Sequence, residues 1–354
     1  MTVKIIAEAG VNHNGDKDLA FALVEKAAEA GADFVKFQTF SADRLASSTA
    51  PKADYQSRTT DQDESQLDML KKLELPHEWH FELRSLAESK GIGFLTTAFD
   101  CESLEFLTTF DLPFYKIPSG EITNAPLLWE FAATKKDLIL STGMANISEI
   151  ELALAIIAYS YMHDTPPTSL ADFWKFWSTN EAYDSIKDKV TLLHCTSQYP
   201  TPSEEVNLRV INTLRNTFML PVGYSDHTEG LLIPVAAVAC GAVVIEKHFT
   251  LDRSLPGPDH KASITADELA VMVQQIREVD VALGHSRKVP QPSEWGTRLA
   301  ARQSLVATKE IMKGELFTCD NLGTARAGAG TSPVNYWDYI GQPSMSDIEK
   351  GDLV

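Results

Sequence analysis

The sequence predicts an α/β chain built as a (β/α)8 TIM barrel followed by a small β-rich module. Eight short apolar runs alternate with amphipathic segments, polar side chains follow every run at its C-terminal end, and this repeat stops after Leu283. Alternating strand and helix patterns indicate a parallel sheet, and eight strands are the number that closes a barrel. A doubly wound open sheet is the alternative, and it is disfavoured because no run leads into a G-x-G-x-x-G turn.

The predicted elements can be taken in chain order. Strands are predicted at residues 4–8, 33–38, 93–97, 114–117, 138–141, 191–194, 220–224 and 243–248. Helices are predicted at residues 16–30, 77–90, 101–110, 126–134, 148–160, 203–216, 230–240 and 265–283. Residues 284–297 are rich in Pro, Ser and charge, which is typical of a linker. We therefore expect a barrel domain at 1–284, a linker at 285–300 and a β-rich domain at 301–354.

Two connections are unusually long. Residues 40–75 follow the second strand, so they belong to the face where a barrel keeps its active site, and they are predicted to form a mobile lid or a solvated loop. Residues 161–189 lie on the opposite face and carry four aromatic side chains at helical spacing. This stripe is predicted to pack on the barrel or on a neighbouring subunit rather than to touch substrate.

Composition limits the classes of partner. The 354-residue chain has a formal net charge of −18, which argues against nucleic acid and anionic membranes as partners. An anionic substrate must therefore be attracted by a local cluster of cations. The four cysteines show neither metal nor disulfide spacing, and the N-terminus carries no apolar secretory segment, so a cytoplasmic location is predicted.

Two histidines, His227 and His248, each follow a short apolar run. If both runs are neighbouring parallel strands, the two imidazoles meet at one edge of the sheet and form a metal site with open positions. The alternative is that each is a hydrogen-bonded core residue. Asp226 is predicted either to orient His227 or to form a turn.

Strand alternation divides the neighbouring polar residues between two faces. It places Lys36 with Gln38, and Glu246 with His248, toward the inside of the barrel, while Lys247 points outward in a structural role. Among the remaining histidines, His194 is predicted to lie in the core, and His77, His80 and His285 at the surface.

The motifs along the chain resemble those of the sialic acid synthases. They are A-E-A-G-V-N-H-N-G-D, V-K-F-Q-T-F, K-I-P-S-G-E-I-T-N, L-S-T-G-M, L-L-H-C-T-S-Q-Y-P-T-P, V-G-Y-S-D-H-T, I-E-K-H-F-T-L-D-R and P-G-P-D-H-K-A-S. Residues 302–354 resemble the antifreeze-like (SAF) domain that ends these enzymes. The resemblance implies condensation of phosphoenolpyruvate with an N-acetylmannosamine-type sugar, which gives a nine-carbon 2-keto acid and phosphate. It also implies a divalent metal, commonly Mn²⁺ with Mg²⁺ or Co²⁺ as options, and a homodimer in which one chain's SAF domain caps the other's barrel.

The resemblance assigns roles to individual residues. It implies that the metal ligands are His227 and His248, and that phosphoenolpyruvate is bound by Lys36, Thr97, Lys116, Ser119, Ser141, Ser197 and Ser225. Glu8, Tyr199 and Asp259 match positions near the acceptor sugar, Gln38 joins them as a substrate-binding candidate, and Arg326 matches the arginine that reaches the partner's site. Glu121, Glu8 and Lys116 are the predicted catalytic residues, with proton transfer assigned to Glu121 and Glu8 as its support. The alternative for Glu121 is a structural role holding Lys116.

Two positions depart from the family pattern, and other functions stay open. The family often has Asn where this chain has Ser197, and Pro where it has Ala327. Pseudaminate synthesis is one alternative activity, and a Schiff-base aldolase using Lys116 or Lys36 is another. A non-enzymatic binding or ice-active protein is the third. The sequence does not decide which acceptor sugar is used, N-acetylmannosamine or the 2,4-diacetamido trideoxy sugar that leads to legionaminate.

Overall fold

The computed structural model describes residues 2–53, 56–57, 60–61 and 64–354. The chain divides into two compact units, one ending at Gly284 and one beginning at His285. The predicted lid, residues 40–75, lies partly outside the described residues. Its described part includes the short helices Ala42–Leu45 and Gln66–Lys71.

The first unit is a parallel barrel. Its strands are β1 Lys4–Gly10, β2 Phe34–Thr39, β3 Gly93–Ala98, β4 Phe114–Ile117, β5 Asp137–Ser141, β6 Val190–Cys195, β7 Val222–Asp226 and β8 Val244–Thr250. The order β3-β2-β1-β8-β7-β6-β5-β4 follows the chain around the ring, and β3 lies against β4, where the ring closes. A short strand β9, Ile264–Thr265, extends the edge beyond β8. The predicted barrel is confirmed.

Side-chain alternation sorts the strand residues between the inside of the barrel and the outer helices. A small inner cluster fills the barrel and consists of Ile6, Leu95, Phe114, Ile139, Leu193 and Val244. Residues two positions further along, such as Glu8 after Ile6 and Glu246 after Val244, therefore point to the same inner side. The intervening Ile5 and Ile245 belong to the large cluster between the strands and the helices. This apolar layer closes the inside of the barrel, so the inward polar groups beyond it are gathered toward the carboxyl ends of the strands.

The helices surround the barrel. Their bounds are Lys17–Glu29, His77–Lys90, Cys101–Thr108, Ala125–Ala133, Ile147–Met162, Leu170–Trp177, Asn180–Ile186, Val210–Phe218, Leu232–Ala239 and Ala266–Leu283. Side-chain caps begin several of them, for example Asp16 and the capping boxes at Asn146 and Thr265. The continuous helix predicted at 203–216 is wrong. A helical turn, Ser203–Glu205, precedes the helix that begins at Val210, because Asn207 between them adopts a left-handed φ of 50°.

The aromatic stripe of residues 161–189 packs against the barrel. Phe173 meets the ring of Tyr159 edge-on at 5.3 Å, and the Trp177 indole donates a 3.0 Å hydrogen bond to Glu151. Both partners lie on helix Ile147–Met162, so this segment covers an outer helix of the barrel. The structure thus agrees with the packing role predicted for it.

The second unit is small and β-rich. Strands β10 Gln303–Ala307 and β11 Leu322–Arg326 pair antiparallel. Its core consists of Leu305, Ala307, Ile311, Phe317 and Leu322. The segment predicted as a linker, residues 285–300, contains the helical turn Pro292–Glu294 and nearly all of the helix Trp295–Ala301. Among the residues described, no helix of either unit combines the length and the apolar character needed to cross a bilayer.

Candidate active site

A cavity of about 460 Å³ opens where the carboxyl ends of the barrel strands meet. It is lined by every barrel residue predicted for the site: Glu8, Lys36, Gln38, Thr97, Lys116, Ser119, Glu121, Ser141, Ser197, Tyr199, Ser225, His227, His248 and Asp259. Arg326 belongs to the second unit, where it is exposed at the end of β11. The barrel thus collects side chains that are spread over about 250 residues of sequence into one cavity of ligand size.

Four buried charged side chains, Glu8, Lys36, Lys116 and Glu246, meet at the floor of this cavity. The Lys36 ammonium contacts Glu8 Oε2, lies 3.5 Å from Glu246 Oε2 and donates a 3.1 Å hydrogen bond to Thr97 Oγ1. The Lys116 Nζ atom lies 3.2 Å from Glu246 Oε1. Two carboxylates therefore balance two ammonium groups in a place that water hardly reaches, which a buried charge requires.

Strand register sets this arrangement. Glu8 lies opposite Lys36 on one side and His248 on the other, and Ser225 lies opposite Glu246. The Ser225 hydroxyl donates a 2.9 Å hydrogen bond to Glu246 Oε1. A shift of one residue in these ladders would turn the charged side chains toward the outer helices.

The two carboxylates at the floor, Glu8 and Glu246, have pKa values shifted in opposite directions. Burial raises the pKa of Glu8, with Lys36 opposing and Glu246 adding to the rise. Burial also disfavours the ionised form of Glu246, but Lys116 and Lys36 outweigh it and hold its pKa well below the usual range. The pKa of Lys36 is raised, because Glu246 and Glu8 outweigh the effect of its burial. Glu246 and Lys36 are therefore charged, and Glu8 is the floor carboxylate suited to accept a proton.

A hydroxyl-rich wall stands beside Lys116. The Ser119 hydroxyl accepts a 3.0 Å hydrogen bond from the Gly143 amide and lies 3.1 Å from Cys195 Sγ. The buried Ser141 hydroxyl has no hydrogen-bond partner among the described residues. Gly143 is required here, because a Cβ at this position would lie 2.3 Å from Ser197 Oγ. The glycine lets the hydroxyls of Ser119 and Ser197 and the thiol of Cys195 approach the same backbone position.

The imidazoles of His227 and His248 meet in the cavity, with ring centroids 5.6 Å apart. His227 Nδ1 donates to the Thr196 carbonyl at 2.7 Å, so its Nε2 carries the free lone pair. Burial lowers the pKa of His227 to about 4, and burial together with His227 lowers that of His248 well below its usual value. Both rings are therefore neutral at pH 7, which is the form that binds metals.

This donor set fits a divalent ion with open coordination positions. The His248 Nδ1 atom is buried without a hydrogen-bond partner among the described residues, and Asp259 Oδ2 lies 3.8 Å from it. Burial and the charge of Glu8 raise the pKa of Asp259 to about 7. Within the part of the chain that the structure describes, no group of three His, Cys, Asp or Glu side chains could hold a metal. Two imidazoles would therefore leave the remaining positions to water and substrate.

Several neighbouring residues differ from the sequence-based expectations. Asp226 does not orient His227, because its carboxylate binds the buried Lys247 ammonium. This ion pair confirms the outward, structural role of Lys247. The alternative prediction, a turn-forming aspartate, agrees with the structure, since Asp226 Oδ1 accepts a 3.1 Å hydrogen bond from the Thr228 amide two residues on. Glu121 does not hold Lys116; its carboxylate accepts a 2.6 Å hydrogen bond from Asn124 and faces the cavity.

Two other histidines lie in the core. His194 is buried, as predicted, and its Nε2 donates a 2.7 Å hydrogen bond to the Val206 carbonyl. The prediction that His80 lies at the surface is wrong, because it is fully buried under β2.

Three parts of the cavity were missing from the sequence-based site. Glu246 was placed inward by strand alternation, but its role between the two lysines depends on register. Cys195 lines the cavity beside Ser119. Apolar side chains of residues 40–75 also line it; the sequence placed this segment on the active-site face but did not show which of its side chains enter the cavity.

Comparison with known proteins agrees with this geometry. The NeuB family model matches residues 23–288, and the SAF domain model matches residues 302–354. The chain is 47% identical over 350 residues to an N,N'-diacetyllegionaminic acid synthase of Campylobacter jejuni, covering 99% of this chain and 98% of that protein. It is 43% identical to the Legionella pneumophila protein of the same name, covering 99% and 93%.

A solved structure supports the same assignment. The N-acetylneuraminic acid (sialic acid) synthetase of Leptospira borgpetersenii, crystallised with citrate, is 33% identical with a TM-score of 0.68. The alignment covers 84% of this chain and 90% of that one. The barrel, the β-rich second unit and these relatives together place the chain in the NeuB family, as a sialic-acid-type synthase with a C-terminal SAF domain.

Proposed function

We propose that the chain condenses phosphoenolpyruvate with an N-acetylmannosamine-type sugar to give a nine-carbon sialic acid and phosphate. The enol carbon of phosphoenolpyruvate attacks the aldehyde carbon of the open-chain sugar and forms the new C–C bond. Water then adds to the adjacent carbon, and phosphate departs with the bridging oxygen as the C–O bond breaks. One water is consumed, and no oxidant or reductant is needed.

The observation that carries this proposal is the pair of buried lysines beside the hydroxyl wall. Phosphoenolpyruvate carries about three negative charges, and a chain with net charge −18 repels it at long range. Lys36 and Lys116 supply buried positive charge, and Ser119 and Ser141 supply hydroxyls in the lining of the same cavity. Ammonium groups and hydroxyls placed this way bind phosphate and carboxylate oxygens through charge-assisted hydrogen bonds.

The imidazole pair stands next to this anion site, and we propose that His227 and His248 hold a divalent ion, Mn²⁺ before Mg²⁺ or Co²⁺. When bound, the ion supplies Lewis-acid polarisation of the acceptor's aldehyde. The orientation of the His227 ring is fixed by contact with the tilted Tyr199 ring, with ring centroids 4.1 Å apart, and by the Thr196 carbonyl.

Proton transfer falls to the carboxylates of the cavity. Glu8, whose pKa is raised by burial, and Glu121, which faces the cavity, are the proposed acid–base residues. Gln38 donates a 3.4 Å hydrogen bond to Glu8 and is placed to contact the sugar together with Tyr199 and Asp259.

The acceptor that we propose is the 2,4-diacetamido-2,4,6-trideoxy sugar that leads to legionaminate. The names of the two relatives at 47% and 43% identity support this choice over N-acetylmannosamine.

We further propose that the chain forms a dimer in which Arg326 reaches the partner's cavity. Ala327, where the family often has Pro, leaves the backbone after Arg326 less restricted. A cytoplasmic location is also proposed, since all four cysteines are free, and cell fractionation is the measurement that checks it.

The reaction is tested by phosphate release from phosphoenolpyruvate with each sugar, using the full chain stripped of metal and then supplied with Mn²⁺. We expect release only with metal and acceptor both present. Phosphoenolpyruvate labelled with ¹⁸O at the bridging position should deliver its label to phosphate. Full activity after stripping, or trapping of the enzyme by borohydride with pyruvate, would contradict the proposal in favour of Schiff-base chemistry.

A further inference from the structure

One wall of the active-site cavity is apolar. It is formed by side chains of residues 40–75 and consists of Phe40, Leu45, Met69, Leu70 and Leu73, here called the apolar wall. Phe40, Met69 and Leu73 are buried and pack with Val11, whereas Leu45 and Leu70 are half-buried at the cavity surface. The wall is therefore a packed cluster whose inner members support two leucines that face the cavity.

This wall contrasts with the floor. The floor carries Lys36, Lys116, Glu8 and Glu246, and the imidazole pair stands beside it. Within residues 40–75, two amides, Gln56 and Gln66, also line the cavity. A ligand that fills the cavity thus meets charge at one end and mostly aliphatic surface at the other.

The chemistry of the condensation orients the acceptor between these ends. Its aldehyde carbon must meet the enol carbon, which is held with its phosphate and carboxylate at the floor. The rest of the sugar chain therefore extends away from the floor, toward the face where residues 40–75 lie after β2. The sixth carbon is the farthest from the aldehyde, so we expect it at the end of the cavity away from the floor.

We propose that the apolar wall selects an acceptor with a methyl group at carbon six, an inference that rests on the proposed function. N-acetylmannosamine carries a hydroxyl at that carbon. A hydroxyl against Leu45 and Leu70 loses its hydrogen bonds to water without replacement, whereas a methyl group gains from being removed from water. A site of this kind discriminates by about 10- to 100-fold, because an apolar pocket rejects an added hydroxyl only moderately.

The test compares kcat/KM for the two sugars in the wild type and in Leu70→Gln and Leu45→Gln, at saturating phosphoenolpyruvate. We expect the wild type to prefer the diacetamido sugar by about 10- to 100-fold, and each variant to lower that preference by roughly tenfold. The KM for phosphoenolpyruvate should stay unchanged, since the floor is untouched. Leu70→Met, which keeps apolar volume, should keep the preference.

Leu67→Gln is the matched control. Leu67 lies on the same short helix as Leu70 and is half-buried, but it is not part of the cavity lining. Its substitution should leave the preference as in the wild type, and circular dichroism melting curves report whether any variant has lost its fold. An equal loss of preference in Leu67→Gln and Leu70→Gln would overturn the inference, because it would trace the effect to the helix rather than to the cavity.

Other outcomes separate this inference from the proposed function. If the enzyme condenses both sugars and neither Leu70→Gln nor Leu45→Gln changes their ratio, the apolar wall does not select the acceptor and the proposed condensation stands. If the wild type prefers N-acetylmannosamine, the inference about the apolar wall and the proposed acceptor are both overturned, while the proposed condensation stands. If neither sugar gives phosphate release, both the inference about the apolar wall and the proposed function are overturned.

Discussion

At the scale of single residues, the site depends on Glu246, the carboxylate that lies between the two buried lysines. Its oxygens lie 3.2 Å from Lys116 and 3.5 Å from Lys36, and it accepts from Ser225. Before an anion binds, Glu246 supplies the counter-charge that allows two ammonium groups to be buried. Bound phosphate would take over part of that role.

Glu246→Gln should therefore destabilise the free protein more than the ligand-bound protein. Removing one partner of a buried ion pair costs about 3–5 kcal/mol, because the remaining charge is left unpaired. Inorganic phosphate should stabilise this variant more than the wild type, because it replaces the missing negative charge beside Lys36 and Lys116. Denaturant unfolding with and without phosphate measures both effects.

Glu82→Gln is the control for that experiment. Glu82 pairs with Lys17 at the surface, where both side chains are more than 40% exposed, so its loss should change stability little. Equal stabilisation of Glu246→Gln and wild type by phosphate would show that Glu246 does not supply the counter-charge of Lys36 and Lys116.

At the scale of elements, His80 joins helix His77–Lys90 to strands β2 and β3. Its Nδ1 donates to the Pro76 carbonyl at 3.0 Å, and its Nε2 accepts from the Thr39 hydroxyl at 2.7 Å. The Thr39 hydroxyl oxygen in turn lies 2.7 Å from that of Thr96. The ring is therefore neutral, and burial lowers its pKa from 6.5 to about 4.

Because the pKa of His80 is depressed in the folded chain, the stability of the protein should fall as the pH is lowered. His80 takes up a proton below about pH 6.5 in the unfolded chain but only near pH 4 in the folded chain. The stability that the neutral, buried ring contributes to the folded state is therefore fully present above pH 6.5 and is lost as the pH falls toward 4. His80→Gln should therefore lose less stability than the wild type between pH 7 and about pH 4.5, by up to about 3 kcal/mol.

Urea unfolding of both proteins at several pH values measures this difference, and carboxylates that titrate in the same range contribute equally to both. A parallel decline of the two curves would mean that His80 does not take up a proton on unfolding. Glutamine retains a donor and an acceptor, so the helix should keep its attachment to β2 at neutral pH.

At the scale of the whole molecule, the proposed dimer places Arg326 in a partner's site. Most soluble oligomers are symmetric, so two equivalent sites would each combine one chain's barrel with the other's SAF domain. Co-expression of Arg326→Ala with Lys116→Ala tests this arrangement. In the mixed dimer, the barrel that keeps Lys116 would face the chain that keeps Arg326, so about half of the wild-type activity should return.

The two homodimeric variants, each expected to be inactive, are the controls. Lack of activity in the purified mixed dimer would show that Arg326 acts within its own chain, and full activity of the Arg326→Ala homodimer would show that Arg326 has no role in catalysis. Sedimentation at the mass of one chain, 39.0 kDa, would rule out the dimer itself.

Much of the barrel and of the cavity lining follows from local sequence. The inward direction of Lys36 and Glu246 comes from strand period alone, because successive side chains must alternate between faces. The ion pair of Asp226 and the burial of His80 escaped the sequence for one common reason. Each depends on a partner distant in sequence, Lys247 for the first and Thr39 for the second, and a local pattern does not show which distant group comes within hydrogen-bond range.

The sequence by itself determined the (β/α)8 class, the position of the polar residues at the strand ends and the family resemblance, because all three depend on short-range periodicity and motifs. Only the tertiary structure decided the counter-charge between the lysines, the 5.6 Å spacing of the imidazoles and the apolar wall of residues 40–75. These depend on strand register and on how a long connection folds back over the barrel. Both are set by the packing of the whole unit, since the free energy that fixes them is shared among contacts far apart in the chain.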